Sequence, residues 1–336
     1  MALGSTPVNV IEVDHLVKRF DGFTAVKGVT FQVKQGEVFG FLGPNGAGKS
    51  TTINMLCTLL RPTSGRAVIN GHDLLTEQDA VRQSIGMIFQ DPSLDDRLTG
   101  RENLRFHAML YDVPGNLFRE RSAELLEMVG LTDKADEVVR NYSGGMRRRL
   151  EIVRGLLHRP RVFFLDEPTL GLDPQTRRLI WDYLLTLREQ EAVTMFMTTH
   201  YLDEAESCDR IAIIDHGEII ALDTPVALKG TVGGDIVTIS TTDGRRASKL
   251  LKDVHHIEPR VLSNGQLVME VASGDRFIPR MMATLAGGKE PVTVLSVSLR
   301  RPTLEDVFIR LTGRAIREEE SGAGEQMRLR GRTWRR

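Results

Sequence analysis

Gly43-Pro44-Asn45-Gly46-Ala47-Gly48-Lys49-Ser50 is the stretch on which the reading of this sequence turns. It fills the pattern G-x-x-x-x-G-K-S/T. Ahead of it, Glu37 to Leu42 is a short apolar run of strand composition. Behind it, Ser50 to Leu60 has helical composition and stops at Arg61-Pro62-Thr63-Ser64-Gly65. Strand, glycine loop and helix in that order form a phosphate cradle, because glycines let successive backbone N–H groups curl inward and the helix adds its positive end. Lys49 offers a mobile cation to the β and γ phosphates, and Ser50 a hydroxyl to Mg²⁺. The expected nucleotide-binding residues are Gly43, Pro44, Asn45, Gly46, Ala47, Gly48, Lys49, Ser50 and Thr51.

A second run says what happens to the phosphate. Val162-Phe163-Phe164-Leu165-Asp166-Glu167-Pro168 delivers two adjacent acids to the carboxyl end of a buried strand, where open α/β sheets place their ligands. Asp166 is suited to ordering Mg²⁺, directly or through water. Glu167 is suited to polarising the water that attacks the γ-phosphate. Taken singly, such a pair is also compatible with a strand ending in solvent-facing acids. Tyr142-Ser143-Gly144-Gly145, likewise, reads alone as a capped helix start, and His200 as a histidine satisfied at a strand end.

The composition leaves room for this chemistry and narrows the alternatives. Among 336 residues, 41% are hydrophobic and 26% charged, which is globular and sufficient for two domains. Lys plus Arg is 44 against 45 Asp plus Glu, a net charge of -1 that gives no support to a nucleic-acid surface. Cys57 and Cys208 cannot build a disulfide framework, so a reducing compartment is expected. No leader segment and no membrane-length apolar stretch are read from the sequence.

The wider set of motifs resembles the ATP-binding cassette of ABC transporters. Asn141-Tyr142-Ser143-Gly144-Gly145-Met146-Arg147-Arg148-Arg149-Leu150 resembles the family signature, Gln90 its glutamine loop, Leu170-Gly171-Leu172-Asp173 its D-loop, and Thr199-His200 its switch histidine. Phe20 stands where the family stacks an aromatic ring on adenine. The resemblance implies two copies of the chain paired head to tail, with ATP between the phosphate loop of one and Ser143, Gly144 and Gly145 of the other. It implies Gln90 and Asp166 with Ser50 around Mg²⁺, Glu167 as base, His200 as γ-phosphate sensor, and Asp173 bridging the pair. Gln90 and the loop Asp91 to Asp96, together with Asp133 to Val139, become the candidate surface for a membrane partner. The acids Asp91, Asp95 and Asp96 suit a basic loop there, or form only a solvated turn.

Domain organisation follows from the alternation of strands and helices. Residues 1–230 are expected to be the α/β cassette, with a RecA-like core, an antiparallel β subdomain and a helical subdomain at about 91–159. Gly230, Gly233 and Gly234 mark a boundary, and 231–312 has the order β-α-β-β-α-β of a small ferredoxin-like α+β domain closed by a helix at Thr303 to Leu311. Residues 313–336 form a polar, arginine-rich tail. Arg301 to Gly313 resembles the ending of bacterial export cassettes for drugs, antibiotics and lipid- or sugar-linked products, whose six-helix permease is a separate chain. That resemblance implies an ATPase peripheral to the cytoplasmic side of a bacterial membrane, with no cargo pocket of its own. An importer cassette with a regulatory domain, a soluble non-transport cassette and an ATP-gated scaffold are the competing readings.

Overall fold

The computed structural model of the chain describes residues 8–91, 93–262, 265–287 and 291–313. Pro92 in the loop after Gln90, Asn264 and the tail from 314 lie outside the described residues. The described residues divide into two compact units, the first through Pro225 and the second from Val226. The division falls five residues before the expected boundary at 230.

The first unit opens with β1 (Asn9–Phe20) and β2 (Phe23–Lys34), an antiparallel hairpin. The β-branched run Val8 to Val13 covers only the first half of β1, which runs on to Phe20. Asp14 and His15 break the alternation, and His15 takes φ 47° where the register slips between Val13 and Leu16, so the strand passes its irregularity and continues. There follow β3 (Val38–Leu42), α1 (Lys49–Leu56), β4 (Ser64–Ile69), β5 (His72–Asp73), α2 (Gln78–Ser84) and β6 (Ile85–Ile88). The next stretch is helical: α3 (Gly100–Leu110), α4 (Gly115–Met128) and α5 (Gly144–Leu156). Thr99 and Glu102 close a reciprocal capping box on α3, and Ser143 caps α5. Strand and helix then alternate again through β7 (Val162–Asp166), α6 (Pro174–Glu191), β8 (Thr194–Thr199), α7 (Leu202–Ala205), β9 (Arg210–Asp215) and β10 (Glu218–Asp223).

Two sheets result. The six-stranded sheet has the order β10-β9-β3-β8-β7-β6, parallel except for the edge strand β10. Every residue of β3, β7 and β8 is buried, as expected of central parallel strands covered on both faces. The four-stranded antiparallel sheet has the order β2-β1-β4-β5. The two share one core: Phe31 of β2 stacks on Phe39 of β3 at 5.5 Å and on Phe196 of β8 at 5.8 Å. This is a RecA-like core with an antiparallel β subdomain and a helical subdomain.

The second unit contains α8 (Pro225–Val232), β11 (Asp235–Thr241), α9 (Gly244–His255), β12 (Arg260–Val261), β13 (Leu267–Val271), α10 (Gly274–Ala286), β14 (Val294–Arg300) and α11 (Leu304–Thr312). Its antiparallel sheet has the order β12-β13-β11-β14, an α+β arrangement of the ferredoxin-like kind. Val237, Ile239, Leu251, Met269, Val271 and Leu285 form its core. Leu295, an apolar residue of the edge strand β14 that composition alone would place in this core, is 65% exposed. The register with β11 slips there, Ser240 facing Ser296 and Thr241 facing Val294, so Leu295 is passed over, while Leu267 on β13 and Met281 on α10 fill core positions.

Candidate active site

The loop between β3 and α1 closes on itself. Ala47 N donates to Pro44 O at 3.2 Å, and Gly217 N, from the β9–β10 turn, donates to Ala47 O at 2.9 Å. Gly48 sits at φ 105°, and a Cβ there would meet Ala25 O at 2.7 Å, so both conformation and space call for glycine. Lys49 points into the loop, donating from Nζ to the carbonyls of Gly43 at 2.8 Å and Pro44 at 3.1 Å.

Five side chains from α1 and the ends of β7 and β8 meet here. Ser50 on α1 donates to Asp166 Oδ1 at 3.3 Å. Glu167, just past β7, places Oε1 3.4 Å from Lys49 Nζ and 3.3 Å from Nδ1 of His200, which follows β8. Burial pushes the Asp166 carboxyl up, and the Glu167 charge adds to that, against the opposing Thr198 hydrogen bond. Burial also raises Glu167, but the hydrogen bond from His200 and the Lys49 charge outweigh it and hold the carboxyl below its ordinary range. The two neighbouring acids are thus driven apart, one toward the proton and one toward the ionised form. Glu167 also takes a left-handed backbone, φ 46°, with its N–H donated to Thr198 Oγ1 at 3.0 Å.

The remaining expected residues occupy other places. Phe20 ends β1 exposed, stacked on Phe23 at 6.1 Å with Lys18 Nζ 5.1 Å from its ring. Gln90 lines a cleft of about 320 Å³ with Tyr142, Gly144, Leu170, Gly171 and Leu172. Its lining includes neither Ser50 nor Asp166. Ser143 Oγ accepts Met146 N at 3.2 Å as the cap of α5. At Gly145 a Cβ would meet Thr176 Cγ2 at 2.6 Å, so glycine lets the start of α5 close on α6. Asp173 caps α6, accepting Gln175 N at 3.1 Å and Thr176 N at 3.0 Å.

Sequence reasoning missed the polar residues that hold these groups. Thr198 bonds both Asp166 and the Glu167 backbone. Buried Glu204 accepts the hydroxyls of Thr169 and Thr199. Arg148 and Glu151 are buried inside α5. Two threonines ending an apolar strand, and a charged i, i+3 pair on the apolar face of a helix, were the available signals.

Among the described residues no group of three or more His, Cys, Asp or Glu is arranged to hold a metal by itself. That is not what Mg²⁺ at a nucleotide site needs, since it takes one or two protein oxygens and completes its octahedron with phosphate and water. Ser50 Oγ, 3.3 Å from Oδ1 of the buried Asp166, supplies the one or two protein oxygens that requirement asks for.

The ABC transporter family matches residues 26–170. The chain is 40% identical to the daunorubicin/doxorubicin resistance ATP-binding protein of Streptomyces peucetius, over 96% of this chain and 99% of that protein. It is 39% identical to Nod factor export ATP-binding protein I of Ralstonia nicotianae, over 94% of this chain and 97% of that one. A dimeric post-hydrolysis structure of an ATP-binding cassette bound to ADP and Pi superposes with a TM-score of 0.58 at 29% identity, covering 64% of this chain and 98% of the other. Among the described residues no helix is long and apolar enough to cross a membrane.

Proposed function

The chain belongs to the ATP-binding subunits of ABC transporters, and from that premise we propose that it works as a head-to-tail pair of identical subunits that powers export through a separate membrane permease. The cargo class is a drug, an antibiotic or a lipid- or sugar-linked product, and the chain sits peripherally on the cytoplasmic face of a bacterial membrane. The name of the Ralstonia relative supports export, that of the Streptomyces relative supports a role in drug resistance, and the dimeric cassette supports pairing. Cargo is read by the permease.

The observation that carries the ATPase reading is Glu167 held between Lys49 and His200 beside the phosphate loop. Lys49 and the loop N–H groups bind the β and γ phosphates, and Phe20 stacks on the base. Glu167, kept ionised, takes the proton of the attacking water, and His200 orients that water and the γ-phosphate. Ser50 and Asp166 would hold Mg²⁺, with Gln90 reaching it from the neighbouring cleft, and the bound ion would spread the charge of the phosphate oxygens. Ser143, Gly144 and Gly145 offer a helix start to the nucleotide of the other subunit, and Asp173 bridges the two.

The permease is proposed to dock beside the loop that follows Gln90. A groove of about 330 Å³ there is lined by Leu59, Arg82, Met87, Phe89, Tyr111 and Arg154. Both arginines are bonded within the chain, Arg82 Nε to Thr58 Oγ1 at 2.8 Å and Arg154 Nη1 to Ser93 O at 2.6 Å, so the apolar lining of the groove is what would receive a helix. Asp95, which suggested a basic partner, is engaged in its own turn, accepting Arg97 N at 2.9 Å.

Two experiments test the proposal at its two levels. Phosphate release from Mg-ATP by the full chain tests the ATPase, and no release above background would sink it. Co-expression with the neighbouring multi-span reading frame in a drug-sensitive bacterium tests export. Unchanged drug sensitivity and unchanged efflux, with hydrolysis intact, would overturn the export assignment alone.

A further inference from the structure

Helix α5 begins at Ser143-Gly144-Gly145 and carries, one turn inside, an ion pair that the proposed chemistry does not use. Arg148 is 7% and Glu151 2% exposed, and Arg148 Nη1 stands 2.9 Å from Glu151 Oε2. The rest of the pair's hydrogen bonding goes to two loops. Arg148 Nε donates to Pro168 O at 2.5 Å, and Nη2 to Asp166 O at 3.3 Å and Glu167 O at 3.2 Å. Nη1 donates to Phe89 O at 2.8 Å, the carbonyl just before Gln90. Glu151 Oε1 accepts Ser93 N at 2.8 Å on the far side of the same loop.

One guanidinium therefore spans the ends of β6 and β7, and its partner carboxylate pins the loop after β6. A planar fork with five donors can serve carbonyls on two strands at once, which an ammonium cannot. The peptide it grips includes Glu167, whose left-handed backbone persists only if its surroundings over-determine it.

We infer that Arg148 and Glu151 are positioning residues through which the start of α5 sets the geometry of the same chain's Glu167 and Gln90 loop. A shift of α5 when Ser143 to Gly145 meet the other subunit's nucleotide is then felt at this chain's own base. The inference rests on the reading of Glu167 as that base.

The test is steady-state and single-turnover hydrolysis by the full chain. Arg148→Lys keeps the charge but not the fork. Misplacing a catalytic group by about an ångström costs on the order of 10²-fold, so kcat is expected to fall by about 10- to 100-fold with KM for ATP within about threefold. In the Glu167→Gln background, Arg148→Lys is expected to add less than about threefold to the single-turnover loss, because both act through one group. Should Arg148→Lys fail to fold, Arg148→Met with Glu151→Met replaces the buried pair by apolar groups of similar length and is read the same way. Wild-type kcat in either folded variant overturns the inference. So does a rise in KM alone, or an equal fold-loss in the Glu167→Gln background. Absence of hydrolysis in the wild type sinks the ATPase reading and this inference with it, whereas hydrolysis that is indifferent to Arg148 sinks only the inference.

Discussion

Glu167→Gln keeps the size and hydrogen bonds of the side chain but cannot take a proton from water. It is expected to bind ATP normally and to lose about 10²- to 10⁴-fold in turnover, and to accumulate as an ATP-bound dimer on size exclusion. Turnover like the wild type's would move the role elsewhere, His200 first. Lys49→Ala should behave differently. Its charge acts on bound phosphate before and during reaction, so ATP affinity and turnover both fall, as titration and phosphate release on one preparation would show. The residues behind these predictions were legible because each motif is contiguous: a loop needs its glycines in sequence, and the two acids end one strand. The supports were not. Thr198, Arg148 and Glu204 act across 32, 18 and 35 positions, on Asp166 for the first two and on Thr169 for the last. No spacing rule relates such residues until the sheet has formed.

Elements followed their hydrophobic periods closely where one face of a helix is buried, as in α3 and α6, and less well where chain geometry intervenes. The continuation of β1 past His15 depends on its pairing to β2 and β4, and the core of the second unit on the register in which β11 pairs with β13 and β14. Neither is a local property. In the helical stretch, His107 on α3 stacks near Tyr111 at 4.7 Å, and Tyr111 on His158 at 3.8 Å. Burial, with the nearby Arg154 charge, lowers the His107 pKa from its usual 6.5 to about 3. A histidine kept neutral in the fold binds its proton in the unfolded chain first. Stability from it is complete above pH 6.5 and declines as pH falls from there toward about 3. His107→Phe should therefore flatten the fall in melting temperature between neutral and mildly acidic buffer relative to the wild type. Parallel melting curves for the two proteins would contradict this.

At the scale of the whole molecule, the nucleotide motifs all fall in the unit that ends at Pro225, while the second unit has its own core. A chain ended at Pro225 is expected to bind ATP as the full chain does but to differ in dimer lifetime and turnover. Both must be compared at equal protomer concentration, since pairing follows mass action. Identical dimer affinity and rate would leave the second unit a passive extension. Within the first unit, the aromatic cluster that joins the two sheets has a thermal consequence. Phe31, Phe39, Phe41 and Phe164 all lie within 5.8 Å of Phe196 between ring centres, so the hairpin bearing Phe20 and the strands bearing the phosphate loop rest on the same rings. They form one cooperative unit of opening. Deuterium should enter the backbone amides of β1, β2, β3 and β8 with a common, slow rate, and Phe196→Ala should hasten all four together by lowering that opening energy by about 3–5 kcal/mol.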